Sequence, residues 1–214
     1  MKTMPEKLAL MYKNLYASFG PQHWWPGETP FEVAVGAILT QNTNWSNVEK
    51  AIANLKKDKV LNPKALHDIS HVRLASLIRP AGYFNVKAKR LKNFISFLIN
   101  EYHGSMTRME TEDLRSIRNK LLSINGIGPE TADSIVLYAM EKPVFVIDAY
   151  TKRVLSRHNI LDYNASYDVF QRLFHSKLRE NITLFNEYHA LFVRLAKEYC
   201  RTKPLCTGCP LEGM

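Results

Sequence analysis

Residues able to do chemistry gather at a few places along this chain. Cys200, Cys206 and Cys209 fall within the last fifteen residues, and no other position carries a thiol. That is no disulfide framework; thiols so closely spaced suggest a metal or cluster loop. Further upstream, Gly126 and Gly128 flank a single apolar residue, Ile127, between two stretches of helical periodicity. Glycine reaches backbone angles closed to other residues and lets the main chain approach another molecule closely. The N–H groups at the start of the second helix then face outward, a ready site for a phosphate oxygen. About twenty residues later the apolar run 143–147 ends in Asp148, whose carboxylate is placed to cap the next helix. Large aromatic surfaces come from His23-Trp24-Trp25-Pro26 and from Trp45.

The elements that must position these residues are helices, because almost every periodic segment repeats at helical spacing. Expected helices span 6–18, 30–40, 45–55, 63–69, 71–78, 86–102, 112–123, 129–140, 149–158, 167–178 and 184–199. Thr29 reads as an N-cap, with Pro30 in the first turn and Glu32 completing a capping box. The helix opened there is nearly all apolar and is expected to be the buried central one. In 86–102 the apolar positions Ala88, Leu91, Ile95 and Leu98 share a face, while Lys87, Lys89, Arg90 and Lys92 read as a solvated one that permits DNA binding. No repeat, low-complexity tract or long linker divides the chain.

Composition narrows the partner. Against 20 Asp plus Glu stand 29 Lys plus Arg, a formal charge of +9 with a pI near 9.4. A polyanion, either nucleic acid or an anionic membrane surface, matches that balance. No stretch approaches the roughly 18 consecutive apolar residues of a membrane span, and the N-terminus lacks a signal-peptide core. The expectation is a cytoplasmic protein, nucleoid-associated in a prokaryote.

Taken together, Ile124-Asn125-Gly126-Ile127-Gly128 followed by Thr131-Ala132-Asp133, and Asp148 beyond them, resemble the helix-hairpin-helix of the endonuclease III-like (HhH-GPD) DNA glycosylase superfamily. The resemblance runs from about Trp24 to Cys209. It implies an all-α, two-lobed fold carrying the hairpin and a C-terminal cysteine loop, with DNA across the cleft between lobes. The expected lobes are 29–140, with the hairpin at 113–140, and 1–28 plus 141–199, followed by the cysteine loop 200–214. Double-stranded DNA containing a damaged base is the implied partner, bound by a monomer.

The resemblance also assigns roles. It makes Asp148 the catalytic carboxylate, the group that stabilises positive charge developing on the sugar and orients the attacking water. Gln41 is implied to enter the gap left by a flipped-out base, with Asn42 near the DNA backbone. Asn125, Gly126, Ile127 and Gly128 are implied to hold a phosphate, and the hairpin carbonyls a monovalent cation (K+ or Na+). Lys152 and Arg153 join them as DNA-binding residues. Members that also cut the strand carry a lysine where this chain has Glu130, and glutamate cannot form a Schiff base. Trp24-Trp25-Pro26, Trp45 and Glu130 together resemble the type III 3-methyladenine branch, where such residues form the base pocket. Hydrolytic release of an alkylated purine is therefore expected, 3-methyladenine first. Two rivals stand: an enzyme of the same fold acting on oxidised pyrimidines or mismatched bases and nicking the strand, with Lys142 or Lys152 reaching the sugar, and a non-catalytic hairpin protein.

Cys200-x5-Cys206-x2-Cys209 resembles the superfamily's [4Fe-4S] loop, with departures. Its first gap is one residue short, and the usual last spacing places the fourth thiolate at position 215, one past the final residue. Either the chain is clipped there or the cluster has been lost; zinc is a weaker alternative for the same ligands.

Overall fold

Capping chemistry starts most of the helices where the sequence puts a Ser, Thr, Asn or Asp. The computed structural model describes residues 2–24 and 27–214, so the expected pocket residues Trp25 and Pro26 lie outside the described residues. Among those described there are helices and no strand. They divide into two compact units, one formed by 25–142 and one by 1–24 with 143–214.

The first unit is built around α2, Pro30–Leu39. Every residue from Phe31 to Leu39 is buried, as expected of a helix apolar on all sides. Thr29 caps it by accepting the Glu32 N–H at 3.1 Å. The return half of the expected capping box is replaced by an ion pair, because the Glu32 carboxylate lies 2.9 Å from Lys56 Nζ. Lys56 belongs to α3, Trp45–Lys57, which Asn44 caps through the Asn47 N–H. Short helices α4 (Pro63–Asp68) and α5 (His71–Leu77) follow, capped by Asn62 and Ser70, and both pack on α6, Phe84–Tyr102.

On α6 the structure corrects the solvated-face reading of Lys87. Lys87 is buried, and its ammonium donates to the carbonyls of Leu39 at 2.9 Å and Ala81 at 2.6 Å. These carbonyls terminate α2 and the tight turn before α6, where unpaired acceptors need a donor. Burial, with Arg90 nearby, lowers the Lys87 pKa to about 8.

After α7, Met106–Glu110, a five-residue helix inside the stretch read as a break, come the two hairpin helices. These are α8, Leu114–Leu122, and α9, Pro129–Ser134. The expected helix 129–140 changes its winding at Ile135 and runs as a π-helix over Ile135–Ala139, fully buried against α2. Arg118 on α8 grips Asp133 on α9 with two hydrogen bonds of 2.6 and 3.1 Å. Asp133 is wholly buried, so this bidentate pair fixes the spacing of the hairpin helices.

The second unit comprises α1 (Met4–Phe19), α10 (Ala149–Arg157), α11 (Tyr167–Lys177) and α12 (Ile182–Glu198). Its core is aromatic. Phe145 and Phe174 stack with ring centroids 3.6 Å apart, and Phe185 and Tyr188 meet Phe145 edge-on. The buried Tyr188 hydroxyl donates to the Leu8 carbonyl at 2.8 Å, tying α12 to α1.

Residues 144–147 are buried and extended without a neighbouring strand, so their main-chain groups need other partners. Side chains of α11 supply them. The Phe145 N–H donates to His175 Nε2 at 3.1 Å, the Phe145 carbonyl accepts from Gln171 at 2.9 Å, and the Ile147 N–H donates to the Tyr167 hydroxyl at 3.2 Å. This three-point clamp sets the direction in which the chain delivers Asp148 to α10.

Candidate active site

Asp148 is the N-cap of α10. Its Oδ1 accepts the Thr151 N–H at 2.7 Å, and its Oδ2 lies 3.5 Å from His189 Nε2 on α12. The two side chains are only 11% and 8% exposed, respectively. Burial is the largest influence on this carboxyl and raises its pKa, yet His189 and the Thr151 N–H together outweigh it. The balance leaves the group below its ordinary value, hence ionised at neutral pH. A buried, oriented carboxylate of this kind can stabilise a cation forming beside it.

The hairpin turn is held by a different network. Gly126 has φ of +96°, and a β-carbon there would lie 2.3 Å from Arg90 Cγ on α6. Both the backbone angle and the close approach demand glycine. Gly128, by contrast, has φ of −92° with open space around it, so the freedom expected of both glycines is needed at only one. Ile127 is buried, as a residue pinning the two helices together must be. Gly128 is the N-cap of α9, and no side chain caps that helix.

Gln41 lies just beyond the end of α2 and is engaged at both ends of its amide. Its Nε2 donates to the Gly126 carbonyl at 3.1 Å and to Thr131 Oγ1 at 2.9 Å, while its Oε1 accepts from Arg90 Nη1. The residue implied to fill a vacated base stack is here a strut between α2, α6 and the hairpin. Its neighbour Asn42 is exposed, with φ of +53°. Asn93 on α6 adds a bond of 2.9 Å to the Asn125 carbonyl. The carbonyls of 124, 125 and 126 thus each accept a protein N–H.

Other expected site residues have distinct surroundings. Trp24 is partly buried, with Lys197 Nζ 5.9 Å from its ring centroid. The Trp45 indole N–H donates along its own helix to Glu49 at 3.0 Å. Glu130 is exposed in the first turn of α9. Lys152 and Arg153 are turned inward. Lys152 donates to the Ala165 carbonyl at 2.8 Å and Arg153 to the Cys200 carbonyl at 2.7 Å, so each cation is committed to main chain rather than presented outward.

The cysteine loop is held by arginines. Arg157 donates to the carbonyls of Arg201 and Thr202 at 2.6 and 3.0 Å, and its Nη1 lies 3.3 Å from Cys200 Sγ. Cys200 is buried, Cys206 exposed and Cys209 between the two. Among the described residues no group of three or more His, Cys, Asp or Glu side chains is arranged to hold a metal ion.

Reasoning from sequence missed two contributors, His189 and Arg90. For His189 the available signal was a polar residue among the buried positions Tyr188, Ala190, Leu191 and Phe192 of an amphipathic helix. Arg90 lay in plain view within a charge run, but nothing in the spacing of that run says which cation turns inward.

Hairpin, capped aspartate and all-helical architecture define a class before any comparison is made, and the comparisons agree. The model of the HhH-GPD superfamily of base excision DNA repair proteins matches residues 35–180. The chain belongs to that superfamily and is a DNA repair glycosylase. A protein of Methanocaldococcus jannaschii, provisionally assigned as a DNA repair glycosylase, is 47% identical over 97% of this chain and 94% of its own length. The endonuclease III of Sulfolobus acidocaldarius is 28% identical over 85% of this chain and 79% of its own.

Among solved structures, a Helicobacter pylori 3-methyladenine DNA glycosylase bound to 1,N6-ethenoadenine superposes with a TM-score of 0.78. It is 32% identical and covers 92% of this chain and 98% of that one. An endonuclease III trapped in a covalent intermediate with DNA shares the fold at a TM-score of 0.84 and 21% identity, covering 99% and 94%. A non-covalent complex of endonuclease III with DNA shares the fold at a TM-score of 0.83 and 22% identity, covering 99% and 94%. No helix among the described residues is long and apolar enough to cross a membrane.

Proposed function

We propose that this enzyme hydrolyses the N-glycosidic bond of an alkylated purine, 3-methyladenine foremost, and leaves an abasic site without cutting the strand. The observation that carries this reading is the Asp148 carboxylate, buried, held on one oxygen by the cap of α10 and kept ionised. As the bond to the base breaks, positive charge grows on the sugar, and a fixed anion lowers that barrier without needing to reorganise. The carboxylate also orients the water that completes the displacement.

Glu130 supports hydrolysis over strand cleavage, because it stands where strand-cutting members present an amine, and a carboxylate cannot form an imine with the sugar. Trp24, Trp25 and Trp45 supply stacking surfaces. A methylated purine is cationic and electron-poor, so it stacks well on indole, and its glycosidic bond is already weakened. The resemblance to the Helicobacter pylori glycosylase supports the same substrate class. The start of α9, with no side chain over it, is the element that holds the DNA backbone, a contact that positions without reading sequence.

A panel of duplexes, one methylated, one carrying an oxidised pyrimidine and one a mismatch, tests this directly. Free 3-methyladenine is expected from the methylated duplex, with no covalent adduct after borohydride. Release from the oxidised duplex with a trapped adduct would favour the lyase reading.

A further inference from the structure

We infer that His189 is a positioning residue for base release, its ring holding Asp148 Oδ2 so that the carboxylate presents one orientation to the sugar. The inference rests on the reading of Asp148 as the catalytic carboxylate.

A helix cap uses one carboxylate oxygen. The Thr151 N–H satisfies Oδ1 at 2.7 Å, and a carboxylate held only there remains free to swing about its last torsion. His189 Nε2 lies 3.5 Å from Oδ2, at the outer limit of a hydrogen bond, and is the group that acts on that second oxygen. Both groups are about nine-tenths buried. Capping α10 does not require an imidazole, and a buried position on α12 would be served as well by an apolar ring.

The other charged groups on the elements packed here are directed elsewhere. On α10, Lys152 donates to Ala165, Arg153 to Cys200 and Arg157 to the cysteine loop. On α12, Glu187 accepts the Gln22 N–H, and Arg194 engages Phe19 and Glu198. Also on α12, Tyr188 gives its hydroxyl to the Leu8 carbonyl of α1. His189 is the ionisable partner that acts on the Asp148 carboxyl, opposing the effect of burial. No proton passes through the imidazole in this account.

The test is single-turnover release of 3-methyladenine from methylated duplex DNA between pH 3 and 8, by the wild type, His189→Ala, His189→Phe and His189→Gln, with Asp148→Asn alongside. Phe keeps the ring volume, so the fold survives even where Ala loosens it. Ala and Phe are expected to lower the rate by roughly 10- to 100-fold, the scale set by a misplaced reacting group, with duplex affinity unchanged. They should also move the acidic limb of the profile up, because burial of the carboxyl is then opposed by Thr151 alone. Gln, which retains an N–H donor, should recover part of the rate. A histidine serving only the core would lower the melting temperature and leave that limb in place. Wild-type rate and an unmoved limb in His189→Phe overturn the inference, provided Asp148→Asn is inactive; an active Asp148→Asn overturns the reading of Asp148 instead.

Discussion

The starts of α9 and α10 offer the same main-chain N–H groups and the same positive end of a helix dipole, yet their sequences use them in opposite ways. At α10 the chain supplies its own anion: Asp148 caps the helix and stays buried beside His189. At α9 the cap is Gly128, no side chain caps the helix, and a β-carbon on Gly128 would meet nothing. The first arrangement keeps a carboxylate fixed and charged. Under the proposed function, one residue at each N-cap, aspartate or glycine, separates the part that would act on a sugar from the part that would hold a phosphate.

That contrast can be strained from either side. The largest expected effect comes from Asp133→Ala, which removes the wholly buried carboxylate that Arg118 grips. It should cost about 3 to 5 kcal/mol of stability, read by denaturant titration, and weaken duplex binding with it. Gly126→Ala places a β-carbon against Arg90 at a left-handed angle, and a loss of about 1 to 3 kcal/mol is expected. At saturating enzyme its rate of base release should stay near that of the wild type, since Asp148 is untouched.

Gly128→Asp is smaller and more pointed. It copies the α10 cap onto α9, and the open space and extended backbone admit the side chain. Stability should hold or rise by up to about 1 kcal/mol. Duplex affinity should fall by about tenfold, near 1.4 kcal/mol, as the new carboxylate takes the donors and repels phosphate. Unchanged affinity in this variant would separate DNA binding from the start of α9.

Most helices were legible in the sequence because their apolar spacing and caps agree, as at Thr29-Pro30. Asp148 was legible as a cap from its position and as a catalytic group only through family resemblance. What escaped depends on unpaired main-chain groups rather than on pattern. Lys87 reads as one more cation in a solvated run until the free carbonyls of Leu39 and Ala81 appear around it. The π-helical stretch Ile135–Ala139 keeps an apolar composition compatible with an ordinary helix, so only its hydrogen bonding separates the two. Gln41 was expected to act on DNA, and its bonds to Gly126, Thr131 and Arg90, from elements distant in sequence, were not legible. His189 stands 41 positions after Asp148, beyond the reach of any local motif.

Asp148→Asn puts the question most directly, because asparagine caps a helix about as well as aspartate and so removes the charge while sparing the fold. Wild-type and variant enzyme, each in excess over methylated duplex, would be followed for free 3-methyladenine, with duplex affinity measured in parallel. A fall in release of at least about 10²- to 10³-fold with affinity essentially kept is the predicted outcome. Release by the variant at the wild-type rate would contradict it and leave the carboxylate with no task beyond capping α10.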